Sequence, residues 1–146
     1  MYNIRRAEKQ DVGGLCALEQ ECFSSPWSED AFIETMRSDG GVFFVCDCEG
    51  EIVGYAGCVC AADECSITNV AVTALHRKRG ISRELLDRLE CEASDRGACT
   101  VFLEVRVSNV PAIAAYESRG YERCGTRRRF YSKPTEDAYV YKKELK

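Results

Sequence analysis

The stretch that decides the fold is Asn69–Val72 (NVAV), followed after a short loop by Arg77–Arg83 (RKRGISR). It predicts a strand, a loop that carries three cations, and an amphipathic helix that begins at Gly80. The first turn of a helix offers unpaired N–H groups and the positive end of the helix dipole. A glycine there lets a phosphate approach the backbone closely. The stretch therefore indicates a site for a pyrophosphate-bearing ligand, although glycine also begins many helices that bind nothing.

Composition and charge predict one globular domain over residues 1–146. A chain of this length buries roughly 70% of its unfolded surface, so it needs no disulfide or metal to fold. The 20 basic and 24 acidic residues give a net charge of −4, which provides no general attraction to nucleic acid or membranes. Residues 1–10 lack the apolar run of a signal peptide, and no apolar stretch approaches the ~20 residues of a membrane span. We therefore expect a cytoplasmic protein, and a monomer.

Hydrophobic periodicity and turn residues predict the element order β-α-α-β-β-β-α-β-α-β-β. This order predicts an α/β fold with a mixed, mostly antiparallel sheet of about seven strands and helices on both faces. The strand at 100–107 is apolar on both faces, so we expect it to be buried near the centre of the sheet. Asp11 and Ser28 are the expected N-caps of the first two helices. The predicted strands are residues 2–6, 42–48, 52–61, 66–72, 100–107, 121–132 and 139–145, and the predicted helices are about 11–22, 28–38, 81–97 and 109–119.

The ten cysteines fall short of the density of a disulfide scaffold. The close pairs are Cys46/Cys48 and Cys58/Cys60, and paired zinc ligands usually have two to four residues between them. If a hairpin turn separates the two pairs, Cys58 lies opposite Val42, about 13 Å along the strand from Cys46. The two pairs then cannot share one metal. We expect cysteines that pack as small hydrophobic residues, with redox-sensitive thiols and a metal site as the open alternatives.

Three residues stand out by their chemistry. Glu104 interrupts an apolar strand, and a carboxylate in a low-dielectric site has a raised pKa unless a charge or donor compensates. It is either a general base or one half of a structural ion pair, for instance with Arg106. Tyr116 lies on the inward side of the next helix and is either a core aromatic or a hydroxyl with a functional partner. Asn109 either caps that helix or contacts a ligand.

Taken together, these stretches resemble the GNAT N-acetyltransferases. Arg77–Ser82 resembles the acetyl-CoA signature of that family, which is arginine or glutamine, two residues, glycine, one residue, and glycine or alanine. Leu103–Tyr121 (LEVRVSNVPAIAAYESRGY) closely resembles the RimI branch, whose members acetylate the N-terminal alanine of a small-subunit ribosomal protein. Pro26–Ser28 (PWS), Arg127–Tyr131 (RRRFY) and Glu136–Ala138 (EDA) are similar to the same branch. The resemblance covers nearly the whole chain.

The resemblance implies a reaction and a role for each matching residue. The chain would transfer an acetyl group from acetyl-CoA, its co-substrate, to the N-terminal α-amino group of a ribosomal protein, without a metal. Glu104 would act as general base and Tyr116 as general acid, while Trp27 and Tyr131 would contact the acceptor. The residues that would contact acetyl-CoA are Val70, Ala71, Val72, Lys78, Arg79, Gly80, Ile81, Ser82, Arg83 and Asn109.

The chemistry of this reaction suits these residue types. An α-amino group has a pKa of about 7.7–8.0, so a modest base suffices to remove its proton. The oxyanion that forms needs a fixed donor, such as a strand N–H left unpaired by a bulge. Direct attack by the amine forms no covalent enzyme intermediate, so none of the ten cysteines need be a nucleophile.

Some positions depart from the family pattern, and other functions stay open. Ser82 stands where the family usually has glycine or alanine, and its hydroxyl either clashes with the phosphates or bonds to them. The loop around Pro134 looks short, which affects the predicted acceptor groove. The alternatives are transfer to a lysine side chain or a small amine, and a non-catalytic CoA-binding module. Direct nucleic-acid binding through Arg127–Arg129 is disfavoured, because alternate residues of a strand point to opposite faces.

Overall fold

The structure is a computed structural model that describes residues 1–145. Its strands and helices follow one another in the predicted order. The strands are β1 (Tyr2–Arg6), β2 (Gly41–Cys48), β3 (Glu51–Ala61), β4 (Glu64–Val72), β5 (Thr100–Arg106), β6 (Glu122–Tyr131) and β7 (Glu136–Glu144). The helices are α1 (Val12–Cys22), α2 (Glu29–Arg37), α3 (Ile81–Asp95) and α4 (Val110–Ser118). Within the described part of the chain, no helix combines the length and apolar character needed to cross a membrane.

The strands form one sheet in the order β1-β2-β3-β4-β5-β7-β6. Every neighbouring pair is antiparallel except β4 and β5, which run parallel, so the predicted mixed and mostly antiparallel sheet is confirmed. The predicted hairpin register is also confirmed, because Cys58 of β3 pairs with Val42 of β2. The parallel pairing of β4 with β5 covers three residue pairs only, the last being Ser66 with Phe102.

Helices cover both faces of the sheet, as the sequence predicts. On one face, α1 and α2 pack over Phe43, Val45 and Tyr55. On the other face, α3 and α4 pack over a larger core that includes Val42 and Phe44. Neighbouring residues of β2 therefore enter different cores, as the alternation of side chains along a strand requires. The buried anchors of α3 are Ile81, Leu85, Leu86, Leu89 and Ala93.

The strand β5 is less buried than the sequence predicts. Val101, Leu103 and Val105 are buried, whereas the alternate residues, including Phe102 and Glu104, are half-buried. The apolar run therefore overstated the burial of the second face, which lies close to the gap described below. The last strand also differs, since β7 begins at Glu136, three residues earlier than expected.

The two predicted N-caps have different outcomes. Ser28 caps α2, because its hydroxyl accepts a hydrogen bond from the Ala31 N–H at 3.1 Å. Asp11 precedes α1 but makes no capping bond to it. Its carboxylate instead pairs with Arg5 at 2.8 Å and accepts the Glu8 N–H, and the Arg5 guanidinium holds the pKa of Asp11 below its usual value. Asp11 thus ties the start of α1 to β1.

The tight packing beneath α3 allows us to predict how much a cavity there would lower the free energy of unfolding. Replacing the fully buried Leu85 with Ala should lower the free energy of unfolding by about 2–5 kcal/mol, because neighbouring side chains cannot fill the space. Leu75→Ala is the matched control, since that side chain is 82% exposed and should change stability by less than about 0.5 kcal/mol. Urea unfolding followed by circular dichroism measures both. Equal effects in the two variants would contradict the packing described here.

Candidate active site

The separation of β4 from β5 opens a gap in the middle of the sheet. Beyond Ser66, β4 continues to Val72 and pairs with β3 alone, the last pair being Gly54 with Val72. Backbone polar groups of this segment that point into the gap therefore have no strand partner. Val70, Ala71 and Val72 belong to this segment. An extended ligand with amide groups can bond to such an edge as an additional strand would.

A cavity of about 450 Å³ lies where this gap meets the start of α3 and the end of α4. Its volume is typical of a site for a small organic ligand. Among the residues predicted to contact acetyl-CoA, Val70, Ala71, Arg79 and Asn109 lie outside its walls. The predicted residues that line it are Val72, Lys78, Gly80, Ile81, Ser82 and Arg83.

Gly80 marks the cavity end that suits an anion. Its φ of 79° is left-handed, a conformation that costs a residue with a Cβ about 1–2 kcal/mol. A Cβ built on Gly80 would meet no atom within 4 Å, so the backbone conformation, rather than crowding, requires glycine here. The space over Gly80 is therefore open where the first N–H groups of α3 point, and these groups attract a phosphate.

The cations around this cavity differ in their availability. The Arg77 Nε donates to the Val72 carbonyl at 3.0 Å, and Arg119 forms ion pairs with two carboxylates of α3. Arg79 points away and donates to the Tyr2 hydroxyl at 3.0 Å. Within residues 1–145, the side chains of Lys78 and Arg83 line the cavity and make no ion pair or hydrogen bond. These two cations are therefore the ones available to a pyrophosphate, and the site fits such a ligand.

Glu104 lies on β5 with its side chain 24% exposed, and an ion pair forms there with an unexpected partner. Its Oε2 is 3.3 Å from Nε of Arg127 on β6. The predicted partner, Arg106, instead pairs with Glu136 at 3.1 Å. Because the Arg127 side chain is 59% exposed, the pair adds little to stability. It does show that the Glu104 carboxylate attracts a cation.

Electrostatic interactions link Tyr131 to both Glu104 and Tyr116. Burial raises the pKa of Tyr131 to about 12, and the charge of Glu104 contributes to the increase. Burial likewise raises the pKa of Tyr116 to about 12, with a contribution from Tyr131. Tyr116 also packs as a core aromatic, its ring centroid 5.6 Å from that of Tyr121, and its hydroxyl is protonated at neutral pH.

Arg106 holds together two loops beside this cluster. Its guanidinium donates to the carbonyls of Ser132 and Pro134, both at 3.0 Å, in the loop between β6 and β7. It also reaches the Ser24 hydroxyl at 3.5 Å, in the segment between α1 and α2. The same group stacks over the ring of Tyr131, 4.4 Å from the ring centroid. The two loops therefore meet at Arg106, and we call them together the rim.

The remaining candidates have mainly structural contacts. The Asn109 Oδ1 accepts a hydrogen bond from the Ala112 N–H at 3.3 Å, as a helix cap does. Trp27 is half-buried in the segment between α1 and α2, with its ring centroid 5.3 Å from that of Phe32 and 6.1 Å from that of Phe43. Its position on the rim is compatible with the predicted contact to an acceptor.

The sequence analysis missed Glu19. This residue of α1 is fully buried, and it accepts hydrogen bonds from the Trp27 N–H at 2.8 Å, the Tyr55 hydroxyl and the Asn69 amide at 3.1 Å. Its position was predictable, because Glu19 follows the buried Leu15 by four residues and therefore lies on the same helix face. A charged residue at a buried position of a helix is the signal that could have identified it.

The cysteines follow the main expectation in part. Cys46 and Cys58 are buried, and burial raises the pKa of each thiol to about 11. Cys60 forms a disulfide with Cys65 across the β3–β4 hairpin, which the sequence analysis did not consider. The Sγ atoms of Cys58, Cys60 and Cys65 lie within 4.8 Å of one another. The register of β3 against β4 creates this cluster, and sequence spacing alone did not indicate it.

The fold and the cavity define a class of acyl-transferring enzymes. A model of the acetyltransferase (GNAT) family matches residues 13–121 of the chain. The chain belongs to this family.

Individual relatives within this family show which of its members the chain is similar to. The chain is 34% identical over 137 residues to the [ribosomal protein bS18]-alanine N-acetyltransferase of Escherichia coli K12, covering 94% of this chain and 90% of that protein. It is 35% identical over 142 residues to the N-alpha-acetyltransferase RimI of Mycobacterium tuberculosis, covering 93% and 88%. The crystal structure of the Escherichia coli ribosomal-protein-S18-alanine N-acetyltransferase superposes with a TM-score of 0.91 at 32% identity, over 99% and 94% of the two chains. Chaetomium thermophilum Naa20 in complex with a bisubstrate analogue gives 0.86 at 26% identity, over 98% and 86%.

The cavity cations generate a prediction for ligand affinity. The double variant Lys78→Ala, Arg83→Ala should weaken coenzyme A binding by about tenfold or more, because charge-assisted bonds to phosphate are lost. The difference from the unmodified protein should shrink at high salt, which screens these charges. Arg79→Ala is the control, since its side chain bonds Tyr2 outside the cavity. Isothermal titration calorimetry measures all three proteins, and an Arg79→Ala loss as large as that of the double variant would contradict the assignment.

Proposed function

We propose that the protein transfers an acetyl group from acetyl-CoA to the N-terminal α-amino group of an acceptor protein. We further propose that the acceptor begins with alanine, is a small-subunit ribosomal protein, and is modified in the cytoplasm by a monomeric enzyme. The observation that carries the proposal is the cluster at the gap between β4 and β5. There, a half-buried carboxylate, Glu104 on β5, and a protonated phenol, Tyr116 on α4, both interact electrostatically with Tyr131. The similarity to alanine N-acetyltransferases supports the choice of acceptor.

The donor substrate would occupy the gap and the cavity. Lys78 and Arg83, with the N–H groups that follow Gly80, would hold the pyrophosphate of acetyl-CoA. The backbone groups of Val70–Val72 that face the gap would bond the amide-containing arm, and one of their N–H groups would stabilise the oxyanion. Ser82 lines the same cavity, and its hydroxyl would bond a phosphate oxygen. Asn109 would act through its cap of α4, as a support rather than a contact.

Glu104 is suited to receive the proton of the acceptor amine. The carboxylate forms an ion pair with the guanidinium of Arg127, so a cation can approach it at this position. An α-ammonium group would take the same place, and it would lose one proton to solvent to give the neutral amine, because its pKa is about 7.7–8.0. Attack of the neutral amine on the thioester carbonyl makes its nitrogen positively charged and more acidic. Glu104 then accepts the proton, as the carbon–sulfur bond breaks and the amide forms.

Tyr116 is suited to stabilise the sulfur that leaves. A thiol has a pKa of about 8.5, well below the pKa of about 12 of Tyr116, so complete proton transfer to the thiolate would be uphill. The hydroxyl therefore acts mainly as a hydrogen-bond donor to the developing negative charge on sulfur. This refines the role of general acid that the sequence predicts. The raised pKa is useful, because it keeps the donor protonated throughout the neutral range.

The acceptor would enter from the rim formed by the two loops. The Arg106 guanidinium stacks on the ring of Tyr131, 4.4 Å from its centroid, and this phenol would contact the first residue of an acceptor. Trp27 lies in the other loop of the rim.

Substitution at the two reactive groups tests the mechanism. Glu104→Gln should lower kcat by on the order of 100-fold, because the amide cannot accept the proton. Tyr116→Phe should also lower kcat, by on the order of 10-fold to 100-fold, through loss of a hydrogen bond to the leaving sulfur. Coenzyme A affinity should stay within about twofold in both variants, since neither side chain lines the cavity. Unchanged kcat in Glu104→Gln would remove this residue from the mechanism.

The nature of the acceptor is tested by competition among amines. We expect acetyl-CoA and the protein to acetylate an alanine-initiated peptide at its α-amino group and to leave an internal lysine of the same peptide unmodified. Tandem mass spectrometry locates the acetyl group, and a peptide with a blocked N-terminus is the control. Equal rates on the blocked peptide or on polyamines would replace the proposal with a lysine or small-amine acetyltransferase. Binding of coenzyme A without any transfer would indicate a regulatory module.

A further inference from the structure

Glu19 is a buried carboxylate that the chemistry above does not use. Its side chain is 0% exposed, and within residues 1–145 it forms no ion pair. Burial raises its pKa, which reflects an environment that disfavours the charge. An apolar residue at this position would join Leu15 and Leu18 in the adjacent core at a lower cost in desolvation. Stability alone therefore does not explain a carboxylate here.

The hydrogen bonds of Glu19 join three separate parts of the fold. Its Oε1 accepts the backbone N–H of Trp27, in the segment between α1 and α2. Its Oε2 accepts the hydroxyl of Tyr55 on β3 and the amide of Asn69 on β4. Each oxygen thus faces a different side of the site: Oε1 faces the acceptor rim, and Oε2 faces the strand that borders the gap.

The contact with β4 lies at an irregularity of the sheet. The register of β3 with β4 shifts between Gly57, which pairs with Asn69, and Cys58, which pairs with Ile67. Thr68 is therefore the extra residue of a bulge, and its buried hydroxyl has no hydrogen-bond partner within residues 1–145. Because Thr68 does not anchor the bulge, the bond from Asn69 to Glu19 is the side-chain contact that fixes it. The segment Val70–Val72 begins at the next residue.

The contact with Trp27 lies at the other side of the site. Trp27 is the only tryptophan of the chain, and its ring rests on Phe32 and Phe43. Hydrophobic contact leaves the ring free to slide, whereas a hydrogen bond from its own backbone to a buried charge sets the position of the segment. The hydroxyl of the neighbouring Ser25 lies 3.5 Å from that of Ser132, so the segment that holds Trp27 also contacts the second loop of the rim.

We propose that Glu19 is a positioning residue that holds the acceptor rim in register with β4, so that the acceptor amine meets the thioester. It contacts neither substrate and acts through Trp27 and Asn69. The inference rests on the proposed function, because it assigns the rim to the acceptor. Glu19 lies on the opposite face of the sheet from the α3 core. For this role its carboxylate must remain charged and keep its three hydrogen-bond donors.

The test compares Glu19→Gln with Glu34→Gln, which removes an exposed carboxylate from α2. The amide introduced by Glu19→Gln can keep its oxygen toward the two donors that share Oε2, but it then presents an NH₂ group to the Trp27 N–H, so the three-way contact cannot form. We expect the KM for an alanine-initiated peptide to rise about tenfold, the equivalent of 1.4 kcal/mol, while the KM for acetyl-CoA stays within about twofold. Glu34→Gln should match the unmodified protein in both constants.

The fluorescence of Trp27 gives a second readout that needs no enzymatic turnover. Because the chain has one tryptophan, its emission reports on the rim alone. In Glu19→Gln the emission should shift to longer wavelength, and acrylamide should quench it more strongly, since the segment is no longer held. If Glu19→Gln does not fold, Tyr55→Phe serves instead, because it removes one donor and keeps the buried ring; the same changes should follow, smaller in size.

The outcomes separate this inference from the proposed function. Trp27 emission and peptide KM equal to those of the unmodified protein, in a folded Glu19 or Tyr55 variant, would overturn the role of Glu19. A parallel rise in the KM for acetyl-CoA would also overturn it, because that result indicates general damage to the site. Failure of the unmodified protein to acetylate any peptide would instead refute the proposed function, and the Trp27 emission would still show whether Glu19 holds the segment.

Stability against pH distinguishes a positioning residue from a structural one. The pKa of Glu19 is raised above its unfolded value of 4.5, so its contribution to stability is fully present below pH 4.5 and is lost as pH rises through the folded value. The melting temperature of Glu19→Gln relative to the unmodified protein should therefore improve from acidic to neutral pH. A relative melting temperature that falls over that range would show that the charge stabilises the fold, and would overturn the inference.

Discussion

The parting of β4 from β5 is the constraint on which the rest of the structure depends. Two parallel strands that stayed paired would leave no edge inside the sheet and no room for a ligand. Here the pairing stops after Ser66, and β4 continues to Val72 against β3 alone. The free edge of β4, the start of α3 and the end of α4 then surround one cavity, with Glu104 on the strand across the gap. The separation of the two strands therefore creates the site, and the side chains then determine its chemistry.

Local patterns were enough to predict most of the fold. The order of elements, the start of α3 at Gly80 and the pairing of Cys58 with Val42 depend on periodicity, turns and neighbours in sequence. Long-range register was harder to predict. Arg127, which pairs with Glu104, lies on β6, and the register of β6 with β7 shifts twice. No sequence spacing specifies such shifts. The Cys60–Cys65 contact and the bulge at Thr68 depend on the same kind of register, between β3 and β4.

The charged side chains of the site differ in how firmly their contacts hold them in place. Arg106 is held by several carbonyls and by Glu136, and it organises the rim. Arg127 is largely exposed, and the one ion pair that it forms within residues 1–145 leaves Glu104 accessible to another cation. Glu19 is the most constrained, because it is buried with three donors around it. A rigid frame around an accessible base is what positional catalysis requires, since misplacement of the reacting atoms by about 1 Å can cost 100-fold in rate.

The central claim is that the acceptor nitrogen and the thioester meet between Glu104 and Tyr116. The most direct measurement is a crystal structure of the protein with coenzyme A joined through an acetyl link to the α-amino group of an alanine-initiated peptide. We expect the pyrophosphate over Gly80, the sulfur within hydrogen-bond reach of the Tyr116 hydroxyl, and the peptide nitrogen within reach of the Glu104 carboxylate, directly or through one water. A conjugate seated with its nitrogen remote from Glu104 and its sulfur remote from Tyr116 would contradict the account.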